Sequence, residues 1–365
     1  MNTRKTVRAA AAVAGGVAVA GVAWIAIPAD AATTGVVSVV STSVITYTAA
    51  TGKANTVVVT RSGNTITVDD VYGLKAGAGC AKVSGDTTKI RCTPKVAPVW
   101  VRVDLQDGND TVINNSGLSM TAWGRAGNDK LTGGPRNDNL YGGAGNDAIW
   151  GLGGNDRAAG EAGADALSGG DGNDLVEGGA AGDRLLGGNG DDDLDGGAGN
   201  DVEDGGAGDD AFYQDIDYAA GTDMDSFIGG AGEDVVAYWE RSKAIVADAD
   251  GVKGDDGSAG EKDTISSTVE AIFTGDGNDR IVGTARDEVF FGGGGNDFIA
   301  ASTGDDILVG DLGKDTLNGA GGTDYCPDAE PGETVLSCEL TDELSELSAS
   351  AKSKQAKKET RADRF

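Results

Sequence analysis

From Gly124 to Tyr213 the chain repeats every nine residues, and this period limits the possible folds more than any other feature. The units begin at Gly124, Gly133, Gly142, Gly151, Gly160, Gly169, Gly178, Gly187, Gly196 and Gly205, ten in all, with no insertion. Two well-formed copies are Gly142-Gly-Ala-Gly-Asn-Asp-Ala-Ile-Trp150 and Gly169-Gly-Asp-Gly-Asn-Asp-Leu-Val-Glu177. The sixth residue is Asp every time: Asp129, Asp138, Asp147, Asp156, Asp165, Asp174, Asp183, Asp192, Asp201 and Asp210. The eighth is large and apolar in eight units, among them Leu131, Leu140, Ile149, Leu167 and Val176; Ala158 and Glu203 are the exceptions. A random Gly/Asp tract would not keep an apolar residue two places after each Asp, so the ordering argues against disorder.

Each unit reads as a turn followed by a short strand. Glycine lets the backbone take positive φ and turn tightly. Asn or Asp at the fifth position also tolerates left-handed geometry. In the last three residues the middle side chain points inward and its neighbours outward. The frame returns at Thr274, Gly283, Gly292, Ala301, Gly310 and Gly319, with sixth residues Asp279, Glu288, Asp297, Asp306, Asp315 and Asp324. Glu288 departs from the pattern, which predicts a weaker site there.

The unit closely resembles the RTX, or hemolysin-type, calcium-binding repeat G-G-x-G-x-D-x-U-x, and the chain resembles the secreted actinobacterial members of that family. The resemblance implies an all-β fold: a right-handed parallel β-roll (β-helix) with two nonapeptides per turn. Same-side residues are then 18 apart, giving one ladder of Asp129, Asp147, Asp165, Asp183 and Asp201 and another of Asp138, Asp156, Asp174, Asp192 and Asp210. Turn carbonyls and a carboxylate supply the hard oxygens that Ca²⁺ prefers. Carboxylates about 4.8 Å apart on stacked strands repel by about 3 kcal/mol at an effective dielectric near 20. A divalent ion between rungs reverses that sign, so several Ca²⁺ ions are expected, at most eight in this block, with folding coupled to binding. Asp110, Asp234, Asp279, Asp297, Asp306, Asp315 and Asp324 complete the expected ligand set. Some sites should be weak, since Arg136 and Ala181 replace the fourth-position Gly, and Arg125, Leu152 and Glu161 the second.

The rest of the chain divides around these blocks. Residues 1–31 read as a signal peptide: Arg4, Lys5 and Arg8, then the uncharged run Ala9 to Ile27, then Ala29-Asp30-Ala31 as a cleavage site. An uncleaved anchor is the alternative. No later apolar run is long enough to span a bilayer. Residues 32–105 form a β module, with strands near Val36–Val40, Val44–Thr48, Thr56–Thr60 and Thr65–Val68 and a hairpin turn at Ser62-Gly63-Asn64. Residues 106–123 are a half-repeat and junction, in which Asp110 stands 19 residues before Asp129, one out of frame. The module is expected to cap the roll, with partner recognition as its alternative role. Residues 124–213 are the first roll block and 214–273 an acidic insert with one repeat, Gly229 to Val236. Within the insert, Asp248, Asp250, Asp255, Asp256, Glu261 and Asp263 leave extra calcium sites and a solvated loop both open. Residues 274–325 are the second block, and 326–365 a disulfide-containing cap and polar tail. In an exported protein the close pairs Cys80 with Cys92 and Cys326 with Cys338 read as local disulfides; free thiols are the alternative.

Composition narrows the function classes. The 59 acids against 29 bases give a net charge of −30, and removal of the signal would bring it near −32. Such a surface repels nucleic acid and anionic membranes. The absence of His removes His-based triads and H-E-x-x-H zinc sites. No G-x-S-x-G elbow is present. The expectation is a non-enzymatic, secreted, calcium-folded structural or interaction protein whose cell-surface, glycan or protein partner is not specified. A calcium-dependent adhesin or glycan binder is the alternative, and a polysaccharide-active enzyme comes last. Trp123 and Tyr141 on one face and Trp150 on the other suit either sugar binding or covering of the roll.

Overall fold

The structure is a computed structural model that describes residues 34–214, 223–327 and 334–338. The expected signal segment and the polar tail after Asp342 lie outside these residues. Among the described residues every regular element is a strand.

Alternate nonapeptides go to opposite sheets. Ser119–Ala126, Asn139–Ala144, Arg157–Ala162, Leu175–Ala180 and Asp193–Ala198 are neighbours in a 14-stranded sheet. Lys130–Gly134, Ala148–Gly153, Ala166–Asp171, Arg184–Asn189 and Val202–Ala207 are neighbours in a 12-stranded sheet. The strands pair in parallel with an 18-residue offset, as in Leu140 with Ala158 and Leu131 with Ile149. The expected parallel β-roll is therefore the fold.

The inward rows form the core. Leu131, Ile149, Leu167 and Leu185 stack on one side, and Leu140, Ala158, Val176 and Leu194 on the other, all buried. Each Leu contributes about 2–3 kcal/mol by leaving water. Glu203 occupies an inward position between Leu185 and Phe227 and is fully buried. Burial pushes its carboxyl well above the usual range, so the row tolerates it as a neutral acid.

The first module is built into the same sheets. Val44–Thr48 pairs in parallel with Trp100–Asp104, and Thr56–Ser62 with Thr111–Asn115. The antiparallel pairs Gly35–Val39 with Val44–Thr48 and Thr56–Ser62 with Thr65–Asp69 then end the parallel stack. Gly63 takes φ 59° in the tight turn of the second pair. Cys80 and Cys92 stand opposite one another on antiparallel strands and are bonded.

Where the period breaks, the stack continues. Val202 pairs with Ser226 and Ala211 with Val235, a 24-residue step in both sheets. The register is thus kept although the period is six residues longer here. The 12-stranded sheet ends at Thr264–Ile265, and a 6-stranded sheet containing Ile245–Asp248, Arg280–Val282, Phe298–Ala300 and Thr316–Asn318 takes over that side. Arg241, buried at this handover, donates to Glu261 Oε1 at 2.7 Å, to the Gln214 carbonyl at 2.8 Å and to Gln214 Oε1 at 3.0 Å. Removing either member of such a buried pair strands a charge and costs several kcal/mol. At the far end Thr334–Leu336 pairs with Thr316–Asn318, and Cys326 is bonded to Cys338.

Candidate metal centre

The aspartates stack because the strands do. The N–H of Asp110 donates to Asp129 Oδ1, that of Asp129 to Asp147, Asp147 to Asp165, Asp165 to Asp183 and Asp183 to Asp201, each at 2.7 Å. The one-residue frame shift at Asp110 is absorbed, since Thr111 pairs with Lys130. The opposite ladder runs Asp138, Asp156, Asp174, Asp192, Asp210 and Asp234, with steps of 2.7 to 2.9 Å. In the third sheet Asp279 bonds to Asp297 and Asp297 to Asp315, both at 2.8 Å. Glu288 bonds to Asp306 at 2.8 Å and Asp306 to Asp324 at 3.1 Å on the remaining side. Every aspartate expected from the sequence therefore stands in one of these ladders.

One oxygen of each carboxylate is thereby used, and in all the expected aspartates but Asp138, whose Oδ2 accepts from Gly134 N–H, the other is not. Oδ2 of Asp110, Asp129, Asp147, Asp156, Asp165, Asp174, Asp183, Asp192, Asp201, Asp210, Asp234, Asp279, Asp297, Asp306, Asp315 and Asp324 is buried and makes no hydrogen bond. A row of orphaned buried anionic oxygens is costly unless a cation meets them.

The turn glycines explain where a cation fits, and they fall into two kinds. The second and fourth take positive φ, as Gly143 at 112° and Gly145 at 131° do. The first does not; its requirement is space. A Cβ on Gly160 would collide with Asp165 Oδ2 and with the Gly178 carbonyl oxygen at 2.6 Å. Gly133, Gly151 and Gly187 meet the same two kinds of oxygen, from their own Asp and from the next turn. Each of these repeats therefore holds a cradle of one carboxylate and one carbonyl oxygen that a side chain would fill. The donor set suits a hard divalent ion such as Ca²⁺.

The electrostatics agree. Burial raises Asp129, Asp138, Asp165 and Asp201 to about 6, and Asp110, Asp156, Asp183 and Asp192 to about 7. The backbone donors pull the other way, and the neighbouring rungs add repulsion, as Asp201 and Asp165 do at Asp183.

Irregular turns are held in place. Arg125 at φ 79°, Leu152 at 81°, Glu161 at 74° and Ala181 at 85° all adopt the left-handed geometry of the glycines they replace. Arg136 belongs to a turn in which Gly134 N–H donates to Asp138 Oδ2 at 2.6 Å. Glu288, one carbon longer, reaches back to Thr284 N at 2.6 Å and Thr284 Oγ1 at 2.8 Å.

Three ladder members escaped the sequence pattern. Asp201 N–H donates to Asp225 Oδ1 at 2.8 Å and Asp225 N–H to Asp263 Oδ1 at 3.1 Å. Asp234 N–H donates to Glu270 Oε2 at 3.0 Å. The 24-residue step from Asp210 to Asp234, repeated from Asp201 to Asp225, was the available signal; Asp263 was marked only as a member of the acidic insert, with extra calcium sites left open, and the step to Glu270 had none. Separately, carboxylate oxygens of Asp248, Asp250 and Asp255 lie within 4.8 Å of one another.

A family model of the RTX calcium-binding nonapeptide repeat matches residues 123–158, 150–185, 177–212, 273–308 and 291–326. The chain carries RTX calcium-binding nonapeptide repeats. Both RTX blocks coincide with the ladders, and the ladders run on between and before them. No curated protein matches the chain.

Proposed function

We propose that this is an exported protein whose RTX roll folds on binding several Ca²⁺ ions and then serves as an extracellular structural or interaction surface, without catalysis. The observation that carries the reading is the rows of buried, unpartnered Oδ2 atoms, most of them beside a turn glycine whose missing side chain leaves the carboxylate and a turn carbonyl close together. Two disulfides support an oxidising compartment. The basic and apolar N-terminal segment supports export. No described helix is long and apolar enough to cross a membrane.

Calcium titration of the stripped protein, followed by circular dichroism and calorimetry, tests the reading. A calcium-dependent gain of β structure with binding of several ions is expected. Full β structure in the stripped protein, with no transition on adding calcium, would overturn it.

A glycan-binding surface is the second reading, favoured by Trp150, which is 40% exposed on the second sheet. Trp123 and Tyr141 are stacked at 6.2 Å, with Arg125 and Arg157 over their rings. That arrangement favours a covering role for this pair. Unchanged glycan-array binding by Trp150→Ala would remove the second reading.

A further inference from the structure

The Asp110 ladder does not stop at Asp110. Asn55 N–H donates to Asp110 Oδ1 at 2.5 Å, the same bond that Asp110 N–H makes to Asp129. Thr111 N–H donates to the Asn55 carbonyl at 2.9 Å, as Lys130 N–H does to Asp110 at 2.8 Å. Strand Thr56–Ser62 pairs with Thr111–Asn115 starting at Thr56 with Thr111. Asn55 thus occupies the aspartate position one rung earlier, 55 residues before Asp110.

The turn ahead of it also matches. A Cβ on Gly108, at φ 117°, would collide with the Lys53 carbonyl oxygen, just as one on Gly127 would collide with that of Gly108 and one on Gly145 with that of Gly127. Gly52 N–H donates to Asp107 Oδ1 at 2.6 Å and ties the two turns together. Residues 50–55 are therefore a turn of the roll that the nine-residue pattern does not reveal. The ammonium of Lys53 does not compete for the turn, since it lies 5.4 Å from the centre of the Tyr72 ring.

The Asn55 side chain points to a ligand. It is 1% exposed, and neither its Oδ1 nor its Nδ2 makes a hydrogen bond of normal geometry; the amide makes only a loose approach to the Asp110 carboxylate. Asp110 Oδ2 across the gap is likewise buried and unpartnered. A second carboxylate, that of Asp70, accepts from the N–H of Thr56, the residue after Asn55, at 3.1 Å. A half-turn about χ2 exchanges the two ends of an amide at little steric cost. It would aim a neutral oxygen at the gap.

We propose that Asn55 and Asp110, with carbonyl oxygens of the 50–55 and 105–110 turns, form a further Ca²⁺ site that fastens the N-terminal module to the roll. The site rests on the calcium reading of the ladders and extends it to residues outside both RTX blocks. One neutral and one anionic ligand make it weaker than the Asp–Asp rungs, because affinity follows ligand charge. It fills last, so the module locks onto a roll that is already loaded.

The test uses the full chain, with isothermal titration of CaCl₂ and hydrogen exchange at the amides of Asn55 and Thr111. Asn55→Asp is expected to tighten the weakest binding step by about tenfold, as an added carboxylate should. Asn55→Ala is expected to bind one ion fewer and to lose calcium-dependent protection at Thr111. Asp147→Asn, inside the ladder, reports on the RTX repeats alone. If the wild-type chain binds calcium and responds to Asp147→Asn, yet both Asn55 variants match it in stoichiometry, affinity and protection, the Asn55 site is refuted while the proposed function stands. If no variant or wild-type chain binds calcium, both readings fall. Should Asn55→Ala fail to fold, the affinity of Asn55→Asp decides.

Discussion

Replacing Asp165 by Asn should act in opposite directions with and without calcium. Asp165 stands between Asp147 and Asp183, is buried, and leaves Oδ2 without a partner. Rungs about 4.8 Å apart place each neighbouring charge at a repulsion of about 1 kcal/mol in water and about 3 kcal/mol at an effective dielectric near 20. Two neighbours give a lower bound of about 2 kcal/mol in the stripped protein at pH 7.5. Asn removes this term. It also keeps an oxygen for the Asp147 N–H, which lies at 2.7 Å. Its NH₂ can donate toward the Gly178 carbonyl, which faces Oδ2 in the cradle. The stripped Asp165→Asn protein should therefore keep more β circular dichroism than the stripped wild type. In saturating calcium the sign reverses, because a carboxylate bordering two rung gaps is gone. A tenfold loss in calcium affinity is about 1.4 kcal/mol and is the least effect expected. Urea unfolding in stripped and calcium-saturated buffer, with isothermal titration, reads both arms. Equal destabilisation in the two buffers would mean that the carboxylate is only a hydrogen-bond acceptor, and the metal argument would fail.

Acid should partly substitute for calcium. In the folded, calcium-free protein the ladder carboxyls sit near 6 to 7, against about 4 in an unfolded chain. Their raised values favour folding fully below about pH 4, and this contribution is lost as pH rises through about 6 to 7. Stripped protein should thus gain β structure between pH 7.5 and about 5, while the calcium midpoint of the loaded form rises over the same range; circular dichroism showing no pH effect would contradict this. Gly160→Ala fills a cradle, and overpacking there should cost about 1–3 kcal/mol and remove an ion from the titration. Leu152→Gly works in the other direction. Left-handed geometry at Leu152 costs about 1–2 kcal/mol, less about 0.4–1 kcal/mol for a more flexible unfolded chain, so a small rise in the melting temperature of the loaded protein is expected. Replacing Cys80 and Cys92 by Ser opens a loop with a separation of 12 residues and should cost the N-terminal module about 3 kcal/mol. Calcium stoichiometry in the RTX blocks should stay unchanged.

How much was legible depended on whether the period held. Leu140 and Asp138 follow from counting, because a fixed step of nine repeats the same inward and turn positions and every second unit returns to the same sheet. Thr111 pairing with Lys130 did not follow, since a one-residue shift is invisible until the strands are aligned. Glu203 shows a limit of another kind: its place in the pattern made it inward, but only packing reveals a neutral acid fully enclosed beside Phe227 and Gln214.

The sequence by itself determined the nine-residue period, the turn and strand within each unit and the acidic chemistry of the sixth position; its resemblance to the RTX repeat then implied the roll, the 18-residue stacking and the two main aspartate ladders. All of these are local and periodic, set by glycine geometry and alternating side chains. Tertiary structure decided what joins the blocks. It carried the stack through the insertion to Asp225, Asp263 and Glu270, handed one face to a third sheet beside the Arg241–Glu261 pair, and brought Asn55 onto Asp110 across 55 residues. Those contacts depend on which strands meet in space, and apart from the 24-residue step that reaches Asp225 no regular spacing along the chain encodes them.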